Sequence, residues 1–205
     1  EHNQDVLARQ GSWIRDRRQL GGGAIMSCLT HQLDGLRWFA GEADSVASMS
    51  KTVPERMQGE TIGTVLLQMK SGAMAQCTIN WMTRSGGATD GLWPELIHAT
   101  GTGGEAYFMV GRGAFAMLRD RHERLKPFAA DCNTVEKGFT RLKAGNWEKH
   151  ERCIVEWMKM LCGEPFELST TGEDSRMTVE LAEAAYRSAE SGRFVKLPIR
   201  PRKWK

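Results

Sequence analysis

The sequence predicts an α+β domain: a mostly antiparallel, open sheet with helices on one face. Three observations predict it. A segment with helical spacing of apolar residues comes early, over residues 24–40. The middle of the chain is a run of short strand patterns joined by turns. Two more helical segments and a short strand close the chain. Strands and helices in separate runs read as α+β rather than as alternating parallel units. Short turns between successive strands favour antiparallel pairing.

The first 20 residues, with mixed charges and no clear period, read as a surface loop. On a helix over 24–40, Ile25, Leu29, Leu33, Leu36 and Ala40 share one face. Ser27, His31, Asp34 and Trp38 share the other, and Gly41 is the expected stop. Residues 61–69 form a strand, followed by a turn at Ser71-Gly72. Ala75, Cys77, Ile79 and Trp81 then alternate with Gln76, Thr78 and Asn80, a half-buried hairpin strand. Residues 83–94 are Gly-rich and read as a loop. Residues 96–100, 105–110 and 114–118 are short strands. A helix over 148–162 places Ile154, Trp157, Met158 and Leu161 on one face. The last helix, over 173–190, opens with Thr170 and Glu173 at capping-box spacing. "RFVKLP" returns as a final strand.

The 205 residues are 40% hydrophobic and 26% charged, a globular balance with enough chain for a sizeable core. A net charge of +3 is too mild to argue for nucleic acid, and Arg200, Arg202, Lys203 and Lys205 read as a solvated tail. The five cysteines form no Cys-x-x-Cys, so reduced thiols in a cytoplasm are expected rather than a disulfide framework. No apolar run approaches the roughly 18 residues of a membrane span, and no signal-peptide pattern occurs.

"GTGGEA", at residues 101–106, matches the dinucleotide fingerprint G-x-G-x-x-A. The fingerprint needs a helix N-terminus after it to meet the pyrophosphate. Here "YFMV" follows, so a strand–turn–strand is expected. His2, His31, His98, His122 and His150 show no metal-ligand spacing, and no metal is expected. No G-x-S-x-G occurs. His31 remains, with Ser27 one turn before it and Asp34 one turn after it. A hydroxyl and a carboxylate in reach would orient the imidazole for general acid/base work. The preceding glycines, Gly21 to Gly23, would let other backbone or a ligand approach the helix start. A structural histidine beside the core is the competing reading.

Two separated stretches carry a family resemblance. "GGGAIMSCLTHQLDGLRWFAGE" resembles the first helix of the C-terminal domain in the Gfo/Idh/MocA family, relatives of glucose–fructose oxidoreductase and inositol dehydrogenase. "TVELAEAAYRSAESGRFVKLP" resembles that family's closing helix and strand, and "ATGTGGEAYF" its glycine turn. The resemblance implies that residues 1–205 are a C-terminal substrate-binding and oligomerisation domain, with 1–20 as an interdomain loop. It implies hydride transfer between a sugar or cyclitol hydroxyl carbon and NAD or NADP. The cofactor would be held mainly by a Rossmann domain outside these residues, so this chain alone is expected to be inactive.

In that reading His31 accepts the substrate's hydroxyl proton. Ser27 falls where the family keeps an aspartate, and a serine cannot hold a negative charge against an imidazolium. Asp34, Trp13 and Arg15 are the further substrate-binding candidates. The expected partners are a small polyol or sugar and further copies of the chain, as a homodimer or homotetramer through the outer sheet face. Met74 and Met82 mark that face as not wholly polar. The alternative is a non-catalytic domain kept for oligomerisation or carbohydrate binding.

Overall fold

The computed structural model describes residues 11–82, 96–109, 112–119, 122–129, 135–136, 138–143, 151–164 and 170–200. The chain forms two compact units, Glu1–Arg84 with Leu168–Lys205, and Ser85–Glu167. The fold is α+β, and every described strand pair is antiparallel.

In the first unit a 3-10 turn at Trp13–Arg15 leads into the short helix α1 (Arg17–Leu20). A π-helical turn at Ile25–Leu29 runs into α2 (Thr30–Ala40). Three strands follow: β1 (Ala43–Lys51), β2 (Ile62–Met69) and β3 (Met74–Asn80).

The second unit holds β4 (Leu96–Gly101), β5 (Gly104–Met109), β6 (Gly113–Leu118), β7 (Val135–Glu136), β8 (Phe139–Arg141) and α3 (Glu151–Leu161). A 3-10 segment spans His122–Phe128. The long α4 (Gly172–Ser191) and β9 (Val195–Lys196) belong to the first unit. Hydrogen bonding divides the strands between two sheets, ordered β3-β2-β1-β9 and β4-β5-β6-β8-β7.

The four-stranded sheet alternates cleanly. Val65, Leu67 and Met69 of β2, and Cys77 and Ile79 of β3, point into the core. There they meet Ile25, Leu29 and Leu33 from the first helix. Leu181, Ala182, Ala184 and Ala185 of α4 complete the cluster. The alanines are small, which lets a helix lie close to its neighbours. Burying one leucine here stabilises the fold by roughly 1.5–3 kcal/mol. Ser188 pins the end of α4 to β1: its hydroxyl accepts the Ser48 N–H at 2.9 Å and donates to the Arg193 carbonyl at 2.7 Å. The outer sheet face exposes Met49, Leu66 and Met74.

In the second unit β4 and β5 form a hairpin whose last pair is Gly101↔Gly104. Tyr107 stacks on Phe115 at 4.9 Å and meets Phe139 edge-on at 5.2 Å. Helix α3 exposes Ile154, Trp157, Met158 and Leu161, while Glu156 is buried.

Several expectations need correction. Residues 11–20 are not featureless loop. The Ser12 and Asp16 side chains each accept a backbone N–H and start a turn. The cap of the last helix falls one residue later than its sequence signal. Thr171 accepts the Asp174 N–H at 3.1 Å, and Thr170 instead donates to the Asp174 carboxylate. Strand β1 has no counterpart in the sequence reading. The expected loop over 83–94, the first residues of the helix placed at 148–162, and the basic side chains from Arg202 onward lie outside the described residues.

Candidate functional site

The site is built from both ends of the helix that carries His31. Its approach comes first. The segment before the glycines is held to the loop that precedes β2. Arg15 donates through Nη2 to the Glu55 carbonyl at 3.0 Å, and the Gln58 N–H donates to the Arg15 carbonyl at 2.9 Å. Trp13 is 56% exposed beside this staple.

The three glycines then have separate reasons. Gly21 caps α1 at φ 80°, in the left-handed region where only glycine is at ease. A Cβ at Gly22 would collide with the Tyr186 hydroxyl, and one at Gly23 with the backbone and carboxylate of Glu60. The close approach expected of the glycines is therefore real, and this chain's own Tyr186 and Glu60 occupy it.

Those two side chains satisfy the start of the helix. The first amides of a helix have no partner within it. Here the N–H groups of Gly23 and Met26 donate to Tyr186 Oη at 3.1 and 3.2 Å. The Ile25 N–H donates to Glu60 Oε1 at 2.8 Å, and the Ala24 N–H donates to the Glu60 carbonyl at 2.8 Å. The Tyr186 hydroxyl donates to Glu60 Oε1 at 2.9 Å. Burial pushes the Glu60 carboxyl above its ordinary pKa, against the opposing pull of the Ile25 amide, Tyr186 and Arg17. Burial, and then the neighbouring Glu60 charge, push the Tyr186 phenol up as well. A pocket of about 170 Å3 reaches this pair and is lined also by Arg17 and Glu190.

At the other end Arg37 is 6% exposed and gathers three carboxylates. It binds Glu42 through both Nε and Nη2, at 3.1 and 2.8 Å. Nη2 also meets Asp174 Oδ1 at 2.8 Å, and Nη1 donates to Thr178 Oγ1 and to the Asp174 carbonyl, each at 2.8 Å. Asp34 joins this network: it accepts from Thr178 Oγ1 at 2.6 Å and from Arg37 Nη1 at 3.4 Å. The hydrogen bond to Glu42 leads the factors that raise the guanidinium's pKa. Arg37, and then Thr170, hold the Asp174 carboxyl below its ordinary value.

The predicted site residues are thus placed as follows. His31 is exposed on α2 and makes no side-chain hydrogen bond among the described residues. Ser27 lies in the π turn, partly buried, with Oγ 3.8 Å from Cys28 Sγ. A π turn carries more residues than an α turn, so Ser27 and His31 do not stack as four-residue α spacing would place them. Asp34 faces Thr178 and Arg37 rather than the imidazole. No side-chain hydrogen bond links Ser27, His31 and Asp34 among the described residues. The sequence reading missed Glu60, Tyr186 and Arg37. Glu60 and Tyr186 act on partners up to 163 residues away, and no local spacing announces them. Arg37 has local signals in Asp34, three residues before it, and Glu42, five after it.

The fingerprint-like glycines at 101–106 form the β4–β5 hairpin. They have no helix after them to cradle a pyrophosphate, so they do not fit a dinucleotide. Among the described residues no cluster of three or more His, Cys, Asp or Glu side chains could hold a metal ion. No described helix is long and apolar enough to cross a membrane.

Comparison with known proteins agrees with this fold. The GFO/IDH/MocA C-terminal domain model matches residues 1–107, just over half of the chain. The chain belongs to the GFO/IDH/MocA family. It is 27% identical over 169 residues to D-apiose dehydrogenase from Rhizobium rhizogenes, covering 80% of this chain and 46% of that protein. An Agrobacterium radiobacter oxidoreductase, solved with NAD+, L-tartaric acid and magnesium, superposes with TM-score 0.69 at 23% identity. The match covers 95% of this chain and 54% of that one. The WlbA dehydrogenase from Bordetella pertussis, solved with NADH and UDP-GlcNAcA, gives TM-score 0.68 at 22% identity over 96% of this chain and 51% of the other. The chain spans about half the length of the relatives it matches.

Proposed function

We propose that this chain is the substrate-binding and catalytic half of an NAD(P)-dependent oxidoreductase acting on a sugar or cyclitol hydroxyl. One observation carries the reading: His31 is exposed and unbonded on a helix whose two ends are fastened by buried groups. A side chain kept for packing would be buried or bonded. The named relatives support the substrate class and the cofactor, being an apiose dehydrogenase and proteins solved with NAD+ or NADH.

In this reading an imidazole nitrogen of His31 takes the proton of the substrate hydroxyl. Ser27 offers a hydroxyl to the substrate from the turn before. Trp13 presents an exposed indole face on which a sugar ring stacks, and Arg15 steadies that segment through Glu55. Asp34 orders the far end of the helix through Arg37 and Thr178. A bound nicotinamide would supply the hydride acceptor for this chemistry. The cytoplasm is the proposed compartment, consistent with Cys77, Cys153 and Cys162 forming no disulfide among the described residues.

Turnover of a sugar panel tests the reading. The chain joined to a nucleotide-binding half should reduce NAD(P)+ with at least one aldose, sugar acid or cyclitol. Binding of such sugars without any turnover would defeat it.

A second reading, a non-catalytic domain, draws on Asp34's engagement with Arg37 and on the exposed Met49, Leu66 and Met74 of the outer sheet face. That face also fits a homodimer or homotetramer, since exposed apolar sheet seeks cover. Light scattering at micromolar concentration should show an oligomer, and Leu66→Lys should shift it toward monomer.

A further inference from the structure

We infer that Glu60 and Tyr186 are positioning residues for His31, holding the first turn of its helix by the amides of Gly23, Ile25 and Met26. The inference deepens the dehydrogenase reading and rests on it for its catalytic meaning.

The start of a helix requires outside partners for its first amides. An ordinary N-cap satisfies one or two amides with a nearby Ser, Thr or Asp. This start has no such cap, because Ala24 precedes the π turn. Four consecutive amides, of residues 23–26, go instead to two residues remote in sequence. Tyr186 stands on α4, and Glu60 stands just before β2.

The phenol is fully used. Its single proton goes to Glu60 Oε1, which leaves both lone pairs for the N–H groups of Gly23 and Met26. Glu60 Oε1 in turn accepts from Tyr186 and from Ile25. Both side chains are buried. Gly22 and Gly23 lack the Cβ atoms that would prevent the approach. A carboxylate at this end also opposes the positive end of the helix dipole.

The consequence runs forward along the chain. The π turn begins at Ile25, the residue whose amide Glu60 holds. Each residue in a π turn rotates by less than in an α turn, so the turn's starting point sets the phase of everything after it. His31 is the second residue of α2, directly after that turn. The clamp therefore sets the direction of the imidazole without touching it.

The test uses the chain itself, followed by NMR. In the wild type, the amides of Gly23, Ile25 and Met26 should exchange as slowly as those of Leu181 to Ala185 in the core of α4. Exchange as fast as that of the exposed Ser191 amide would overturn the inference without any variant. In Tyr186→Phe, exchange at Gly23 and Met26 should rise about 10-fold, the worth of one net hydrogen bond, and the His31 ring resonances should move. Glu60→Gln keeps an acceptor oxygen and should leave those resonances in place, whereas Glu60→Leu should move them. Unmoved His31 resonances in both Tyr186→Phe and Glu60→Leu would reduce the clamp to plain stabilisation and defeat the positioning role.

Joined to a nucleotide-binding half, Tyr186→Phe should lower kcat about 10-fold with KM within about twofold. Full turnover in His31→Ala would sink the acid/base role of His31 while leaving the clamp result on the chain intact.

Discussion

The two ends of the His31 helix solve opposite problems. At its start a buried carboxylate, Glu60, is offset by backbone amides and a phenol. At its end a buried guanidinium, Arg37, is offset by carboxylates that are themselves partly exposed. Each charge opposes the sign of the helix dipole at its own end. The difference lies in what happens when a partner is lost. The start leaves buried amides with no acceptor. The end leaves carboxylates that water can still reach. Between two fastened ends sits His31, with no side-chain bond of its own among the described residues.

Removing Arg37 should show the largest effect. Arg37→Ala deletes a bidentate pair with Glu42 and the bonds to Asp174 and Thr178. We expect a loss of about 3 kcal/mol in urea unfolding, with solvent access to the carboxylates keeping the value low in the range for broken buried pairs. Arg37→Lys should recover less than half of it, because a point charge cannot form the fork. A loss under about 1 kcal/mol would mean that the far end is only loosely fastened.

Next comes the glycine start. Gly23→Ala drives a methyl against Glu60 backbone and should cost about 2–3 kcal/mol, and Gly22→Ala, which meets a side chain, the Tyr186 hydroxyl, rather than backbone, about 1–2 kcal/mol. Equal costs would remove the distinction between backbone and side-chain approach.

The two ends should also answer pH with opposite signs. Glu60 is raised in the folded chain, so the folded state holds its proton more tightly than the unfolded one. Its contribution is complete below the unfolded value of about 4.3 and falls as pH rises through the folded pKa. Asp174 is lowered. Its contribution is complete above the unfolded value of about 3.9 and is lost as pH falls through the folded pKa. Glu60→Gln should flatten the decline on the alkaline side, and Asp174→Asn the loss on the acid side. Unfolding curves between about pH 3 and pH 8 would show both. A steeper alkaline decline in Glu60→Gln would contradict the burial argument.

How much of this was legible depended on distance along the chain. The core face of the first helix was readable because Ile25, Leu29 and Leu33 recur at helical spacing, and all three are buried. The β2–β3 hairpin was readable from strict alternation. Strand β1 was not. Its register shifts between Ala43 and Ser45, which breaks the period of two, and few of its residues are strongly apolar. His31, Ser27 and Asp34 could be picked out by type and spacing. Their separation could not, because the π turn alters the spacing and Thr178 draws Asp34 to another partner. Glu60 stood as one more acid before a strand, and Tyr186 as one aromatic on a long helix. Only folding brings them to Gly23.

The central claim is that His31 is kept for chemistry rather than for packing. The most direct test measures turnover and melting temperature together on His31→Ala, in a polypeptide that also carries a nucleotide-binding half. An exposed, unbonded side chain should change stability by no more than about 0.5 kcal/mol. Loss of a positioned acid/base should cut turnover by roughly 10²–10⁴-fold. The expected result is unchanged melting with turnover lost. Normal turnover with a lowered melting temperature would contradict it.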